Sequence, residues 1–181
     1  MADKSTGAAS TVMPVVVLTL ICVVAGPLLA FVHDMTAPII AASEAERAEE
    51  TYRSLVADAE SFESVGCSVE GCTASLAAKR GSDTIAYVIV AQAKGYGGQV
   101  PLAIAFSPEG SVISLTSMSN EETPGLGTNA LTPEYLSQYV GRSAEKVEKS
   151  DVDLVSGATI TSTAVVNAYN VAVEAFEEVA S

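Results

Sequence analysis

Hydroxyl side chains crowd one stretch near the C-terminal end, Asp153-Leu154-Val155-Ser156-Gly157-Ala158-Thr159-Ile160-Thr161-Ser162. Gly157 permits a tight backbone bend. The segment from Ile160 onward carries Val165, Ala168, Tyr169, Ala172, Val173 and Phe176 at helical spacing. The hydroxyls therefore fall at a helix start, where free N–H groups and the positive end of the helix dipole favour an anion. A phosphodiester tethered to Thr159 suits that position. So does a plainer role, in which Ser156 or Thr159 caps the helix. Spacing alone leaves both open.

Two further segments have turn chemistry. Gly95-Tyr96-Gly97-Gly98 reads as a hairpin turn between two apolar runs. Glu122-Thr123-Pro124-Gly125-Leu126-Gly127 reads as a type II turn with Pro124 second and Gly125 third. No nucleophile–base pair is visible, so a hydrolase reading has no support and no catalytic residue is assigned.

The elements that must position these segments follow from the pattern. Residues 84–93, 100–107 and 111–119 are β-branched and apolar, and short connections make them antiparallel neighbours. Residues 61–81, with Cys67 and Cys72, read as irregular. Thr132 caps a short helix that has Pro133 at its first position. With the last helix these elements give a small α+β domain over residues 61–181.

The N-terminal part is different. From Val12 to Val32 the only polar side chain is Thr19, and a run of about 20 apolar residues suffices to cross a bilayer core. The expected organisation is a cytoplasmic leader over 1–11, a transmembrane helix over 12–32 kinked at Gly26-Pro27, and a juxtamembrane amphipathic helix over 33–60. Residues Ala30-Phe31-Val32 make a poor cleavage site, so the helix is expected to be retained. Lys4 precedes it and no Lys or Arg follows until Arg47. The positive-inside rule then puts the N-terminus in the cytoplasm and the domain outside. A formal net charge of −13 argues against nucleic acid as a partner. His33, the only histidine, sits at the membrane edge, so a metal site is not expected. Cys67 and Cys72 form either a small-loop disulfide or two free thiols. Lys94 and Arg142 are expected at the surface.

Taken in order, the Gly-Tyr-Gly-Gly, Glu-Thr-Pro-Gly-Leu-Gly and Asp-x-x-Ser-Gly-Ala-Thr segments resemble the FMN-binding-domain family. In particular they resemble the G subunit of the Rnf ion-translocating electron-transport complex, which is related to the C subunit of the sodium-pumping quinone reductase. The single membrane helix is similar too. The resemblance implies FMN held by a phosphoester on Thr159, installed from FAD by a flavin transferase for which Asp153 belongs to the recognised signature. It implies a binding site of Ser156, Gly157, Ala158, Thr161, Ser162, Glu122, Thr123, Gly125, Leu126, Gly127 and Tyr96. Thr123 and Leu126 would meet the isoalloxazine, and Gly125 and Gly127 would let the backbone approach it. It further implies an electron carrier in a complex linking ferredoxin and NAD⁺ to Na⁺ or H⁺ movement. The partners would be the other subunits, above all the one bearing a second covalent FMN. A stand-alone anchored FMN carrier is the alternative. A colourless adhesion module is a third reading, invited only by the acidic Ala-rich helix.

Overall fold

A computed structural model describes residues 6–180. The chain forms two compact units, residues 1–47 and 48–181. The first is one apolar stretch of helix α1, Thr6–Leu55, which runs through Pro14, Pro27 and Pro38. Residues 6–11 are helical, whereas 1–5 of the expected leader lie outside the described residues. The helices expected over 12–32 and 33–60 are one continuous helix through residues 34–38. Residues Val12–Leu55 make a helix long and apolar enough to cross a membrane, and its apolar window is wholly exposed. Val12, Leu18, Leu20, Val23, Leu28 and Phe31 are each more than half exposed, as a lipid-facing helix requires.

The second unit is built on a five-stranded antiparallel meander in the order β1 Ser61–Ser64, β2 Cys72–Arg80, β3 Asp83–Lys94, β4 Gln99–Phe106 and β5 Val112–Ser117. β3 and β4 pair in continuous register from Tyr87↔Phe106 to Lys94↔Gln99. β1 and β2 correct the expectation that residues 61–81 are irregular. Their Ala- and Ser-rich composition has little β-propensity. Pairing supplies what composition does not: β2 with β3, from Cys72↔Ala91 to Arg80↔Asp83, and β1 with β2, from Ser61↔Lys79 to Ser64↔Leu76.

Period-two alternation separates two cores. Ile89 and Ala91 of β3, with Val100, Leu102, Ile104 and Phe106 of β4, face the C-terminal helix α3, Thr159–Val179. That helix returns Val165, Ala168, Tyr169, Ala172, Val173 and Phe176, all buried. Phe176 stacks on Phe106 at 4.8 Å between ring centroids and meets Tyr87 edge-on at 5.8 Å. The opposite face carries the smaller side chains Ala86, Val88, Val90, Ala103 and Ala105. It is closed by Leu55, Val56 and Ala59 at the end of α1. The Ser114 hydroxyl donates to the Leu55 carbonyl at 2.9 Å.

Between β5 and α3 lie a 3₁₀ turn over Gly127–Leu131 and the short helix α2, Pro133–Leu136. Thr132 caps α2 by accepting from the Tyr135 N–H, with Pro133 in the first turn, as expected. Arg142 is half-buried rather than a free surface cation. Its guanidinium donates to the carbonyls of Gln138 and Asp151, each at 2.8 Å, and so ties the loop before α3 to the end of α2.

Candidate functional site

The three motif segments meet at one cleft of about 350 Å³, at the small end of the range for small-molecule sites. Tyr96 comes from the β3–β4 turn. Glu122, Thr123, Leu126 and Gly127 come from the loop after β5. Gly157, Ala158, Thr159, Ile160 and Thr161 come from the start of α3.

Each segment is shaped as its residues dictate. Gly95 N–H donates to the Gly98 carbonyl at 2.8 Å and closes the hairpin. The Thr123 carbonyl accepts from Leu126 N–H at 3.1 Å, with Gly125 at φ +73°, which matches the expected type II turn. At the third segment Gly157 takes φ +84° and Ala158, not Ser156 or Thr159, is the N-cap of α3. No side chain caps this helix. The capping reading therefore fails. Because Ala158 has no hydroxyl, the first-turn N–H groups have no side-chain cap.

Glu122 holds the three segments together. It is 4% exposed. Its Oε1 accepts from the backbone N–H groups of Tyr96 (2.8 Å) and Gly97 (3.0 Å). Its Oε2 accepts from the Thr161 hydroxyl at 2.7 Å. The carboxylate thus fills a nest of backbone donors on one loop and a side-chain donor on α3. Gly127 is required by close approach rather than by φ, because a Cβ there would overlap Glu122 Oε2. Gly97 has the same reason: a Cβ would overlap the Glu121 carbonyl. Sequence reading placed Glu122 in the site but missed this role. The signal was present as glycines in two separate loops that no positive φ explains.

The hydroxyls divide by use. Thr161 and Ser162 are buried, at 1% and 0% exposure. Thr161 is bound to Glu122, and Ser162 accepts from Val155 N–H at 3.1 Å, which fixes the loop ahead of the helix. Ser156 and Thr159 are exposed, and neither hydroxyl is engaged in a hydrogen bond among the described residues. Only Thr159 of these two lines the cleft. Ser156, Ser162 and Gly125 do not line it. Asp153 is exposed, with its backbone N–H donating to Gln138 Oε1 at 2.8 Å. Ile160, which the sequence reading left out, lines the cleft and is 55% exposed.

The cleft wall is apolar and open. Outside α1, the exposed large apolar side chains among the described residues are Val65, Tyr96, Ile113, Leu126, Val140 and Ile160. Three of these six, Tyr96, Leu126 and Ile160, line the cleft. Apolar surface concentrated in this way at a concave site marks a place for a flat, partly apolar ligand.

Residues 95–174 match the FMN-binding domain family. Those bounds begin at the β3–β4 turn and include all three cleft segments. The chain is 37% identical to the G subunit of the proton-translocating ferredoxin:NAD⁺ oxidoreductase complex of Clostridium ljungdahlii, over 87% of this chain and 86% of that one. It is 32% identical to the G subunit of the ion-translocating oxidoreductase complex of Methanosarcina acetivorans, over 88% and 91%. The chain belongs to the G-subunit family of Rnf-type ion-translocating oxidoreductase complexes. A solved structure, that of NqrC from Shewanella oneidensis, is similar with a TM-score of 0.49 at 21% identity, covering 69% of this chain and 71% of that one. As a member of the G-subunit family the chain is an FMN-binding electron-transport component of an oxidoreductase complex, and α1 fits a membrane anchor.

Proposed function

We propose that this chain carries FMN as a phosphoester on Thr159 and relays electrons in a membrane-bound complex coupling ferredoxin and NAD⁺ to Na⁺ or H⁺ movement. Bound flavin exchanges one or two electrons, and the protein supplies its seat and electrostatics. The observation that carries the reading is Thr159 itself. It is a cleft-lining hydroxyl released from capping and unpaired, beside the uncapped N–H groups of α3.

The residues suit the group. Leu126, Ile160 and Tyr96 offer exposed apolar surface to a ring system. The first turn of α3 offers donors and a positive dipole end to a phosphate. Thr123 stands at the cleft edge. Ser156, Gly157 and Ala158 shape the bend that presents Thr159. Gly125 allows the turn, Gly127 keeps the loop backbone close to Glu122, and Thr161, Ser162 and Glu122 hold that frame. Asp153 lies on the exposed approach to Thr159, where a flavin transferase reads it during maturation.

The Lys4-led N-terminus puts α1 in the membrane as a single pass with the FMN domain on the extracytoplasmic side. There a covalent tether prevents loss of a cofactor that no outside pool would replace. The partners are the other subunits, including the membrane subunit with its own covalent FMN.

The test is intact mass and in-gel fluorescence of the full chain made in a host with an active flavin transferase. Wild type is expected to be heavier by FMN less water and fluorescent. Thr159→Ala is expected to show neither. Wild type of unmodified mass under those conditions overturns the reading.

A further inference from the structure

At the opposite end of α3 from Thr159, the connection between β1 and β2 brings two thiols together. Gly66 at φ +78° bends the chain out of β1, and Gly71 at φ +92° turns it back into β2. The Cys72 N–H donates to the Val69 carbonyl at 3.1 Å and closes that turn. Before it the Val65 N–H donates to the Ser75 carbonyl at 3.0 Å, so the arms that carry Cys67 and Cys72 run side by side. Both cysteines are half-buried and pack against the main core.

The segment is held from three sides. Glu178, on the last turns of α3, accepts from the Ser68 hydroxyl at 2.6 Å and from the Ser68 N–H at 3.2 Å. Its other oxygen lies 3.9 Å from Cys67 Sγ. The Gly71 carbonyl accepts from Gln92 N–H of β3 at 2.8 Å. The Cys72 thiol is aimed at the Ala74 carbonyl, 3.6 Å away. A pair five residues apart would ordinarily have to find each other in a flexible loop. Here the loop is already closed, so the entropic cost of bringing the thiols together is met by the fold.

We propose that Cys67 and Cys72 form an intrachain disulfide that staples the β1–β2 connection onto α3. The oxidant is a disulfide, acting by thiol–disulfide exchange. The Cys67 sulfur, as thiolate, attacks one sulfur of the oxidant and expels one thiolate. The Cys72 sulfur then loses its proton to solvent, attacks Cys67 Sγ in the mixed disulfide, and expels the second thiolate. Two thiols are oxidised, one disulfide is reduced to two thiols, and the two protons balance.

Cys72, part-buried with its thiol turned onto the Ala74 carbonyl, is the resolving sulfur. Burial, followed by the Cys67 thiol and then the Glu178 charge, pushes it up to about 12. A poorly acidic thiol is also a slow leaving group. Reduction by attack on Cys67, which must expel Cys72, is therefore the slower of the two routes. This inference rests on the extracytoplasmic placement for its physiological setting, but not for its chemistry.

The experiment uses the full-length chain in detergent, equilibrated with oxidised glutathione or with dithiothreitol. The protein is then denatured, labelled with maleimide and weighed. Wild type is expected to take three labels when reduced and one, at Cys22, when oxidised, with no retained glutathione. Cys67→Ser is expected to keep two labelled or glutathionylated thiols, and Cys22→Ser to label at none when oxidised. The oxidised melting temperature should exceed the reduced one by several degrees in wild type and not in Cys72→Ser.

Three labels on oxidised wild type, or a stable glutathione adduct on Cys67 that Cys72 never resolves, overturns the proposal. Thr159→Ala should staple as wild type does, so a chain that loses flavin but keeps the disulfide separates the two claims.

Discussion

Glu122→Ala is expected to loosen the whole cleft, and the structure gives the size of the effect. The substitution strips acceptors from three donors: Tyr96 N–H, Gly97 N–H and the Thr161 hydroxyl. A buried donor left unpaired costs about 1–3 kcal/mol. Tyr96 and Gly97 lie on an exposed turn where water can partly replace the carboxylate, so each is assigned the low end or less. Thr161 is 1% exposed and bears the larger share. The sum is about 2–4 kcal/mol, or roughly 8–16 °C in melting temperature for a unit of this size. Glu122→Gln behaves differently. Its amide oxygen can keep both backbone N–H groups while its amide nitrogen donates to the Thr161 oxygen, so only the charge assistance is lost, about 1 kcal/mol. The assay is thermal unfolding of the full chain in detergent, with flavin content measured in parallel. The expected order is wild type, then Gln close behind, then Ala far below with reduced flavin. A Glu122→Ala protein that melts with wild type, or a Gln variant as damaged as Ala, would refute the hub.

Other expectations follow from the same geometry. Gly127→Ala sets a methyl against Glu122 Oε2 and Thr161, and is expected to cost about 1–3 kcal/mol by the same melting assay. Phe176→Ala removes the ring that stacks on Phe106 and meets Tyr87 edge-on. A loss of about 3–5 kcal/mol is expected, measured by denaturant unfolding. Burial raises the phenols of Tyr139 and Tyr169 above 10.0, and burial first, then Cys67, raises reduced Cys72 from 9.0 to about 12. In the unfolded chain these groups ionise first. Their stabilising contribution is therefore complete below about pH 9 and is lost as the pH climbs toward 12 and beyond. Melting temperatures recorded between pH 8 and 11.5 should fall across that window, and a flat profile would count against the burial argument.

Much of this was written in the chain in forms that simple periodicity exposes. β3, β4 and α3 are long and strongly patterned, and their inward sets, Ile89 with Leu102 and Ile104, or Val165 with Tyr169 and Val173, could be read by counting. β1 and β2 could not. Their sequences, Ser61–Ser64 and Cys72–Arg80, have no apolar alternation strong enough to outweigh Ala and Ser; β2 is a strand because β3 offers it an edge, and β1 because β2 then offers the next. The two N-terminal helices were legible by composition, but not that they join into one. The helix runs through Pro38 until Leu55 and Val56 reach the small-residue face of the sheet. At the cleft, the residue types were legible but their division of labour was not. Thr161 looks no different from Thr159 until Glu122, 39 residues away in the chain, is seen to bind one and not the other.

That division gives a test independent of any flavin. Four hydroxyls at positions 156, 159, 161 and 162 look interchangeable on a helix start, but only two serve the fold. Thr161→Val leaves the buried Glu122 Oε2 without its donor, so it should destabilise by about 1–3 kcal/mol. Ser162→Ala frees Val155 N–H and should cost about 1 kcal/mol. Thr159→Val removes a hydroxyl that caps nothing and has no hydrogen bond among the described residues, on an exposed residue, so unmodified protein should melt within about 0.5 kcal/mol of wild type. If Thr159→Val proved as costly as Thr161→Val in protein that had never met a flavin transferase, Thr159 would be a structural hydroxyl after all, and its availability for esterification would lose its physical basis. If the contrast holds, the fold has left one cleft-lining hydroxyl unassigned while binding its neighbours tightly, which is the arrangement a covalent attachment site requires.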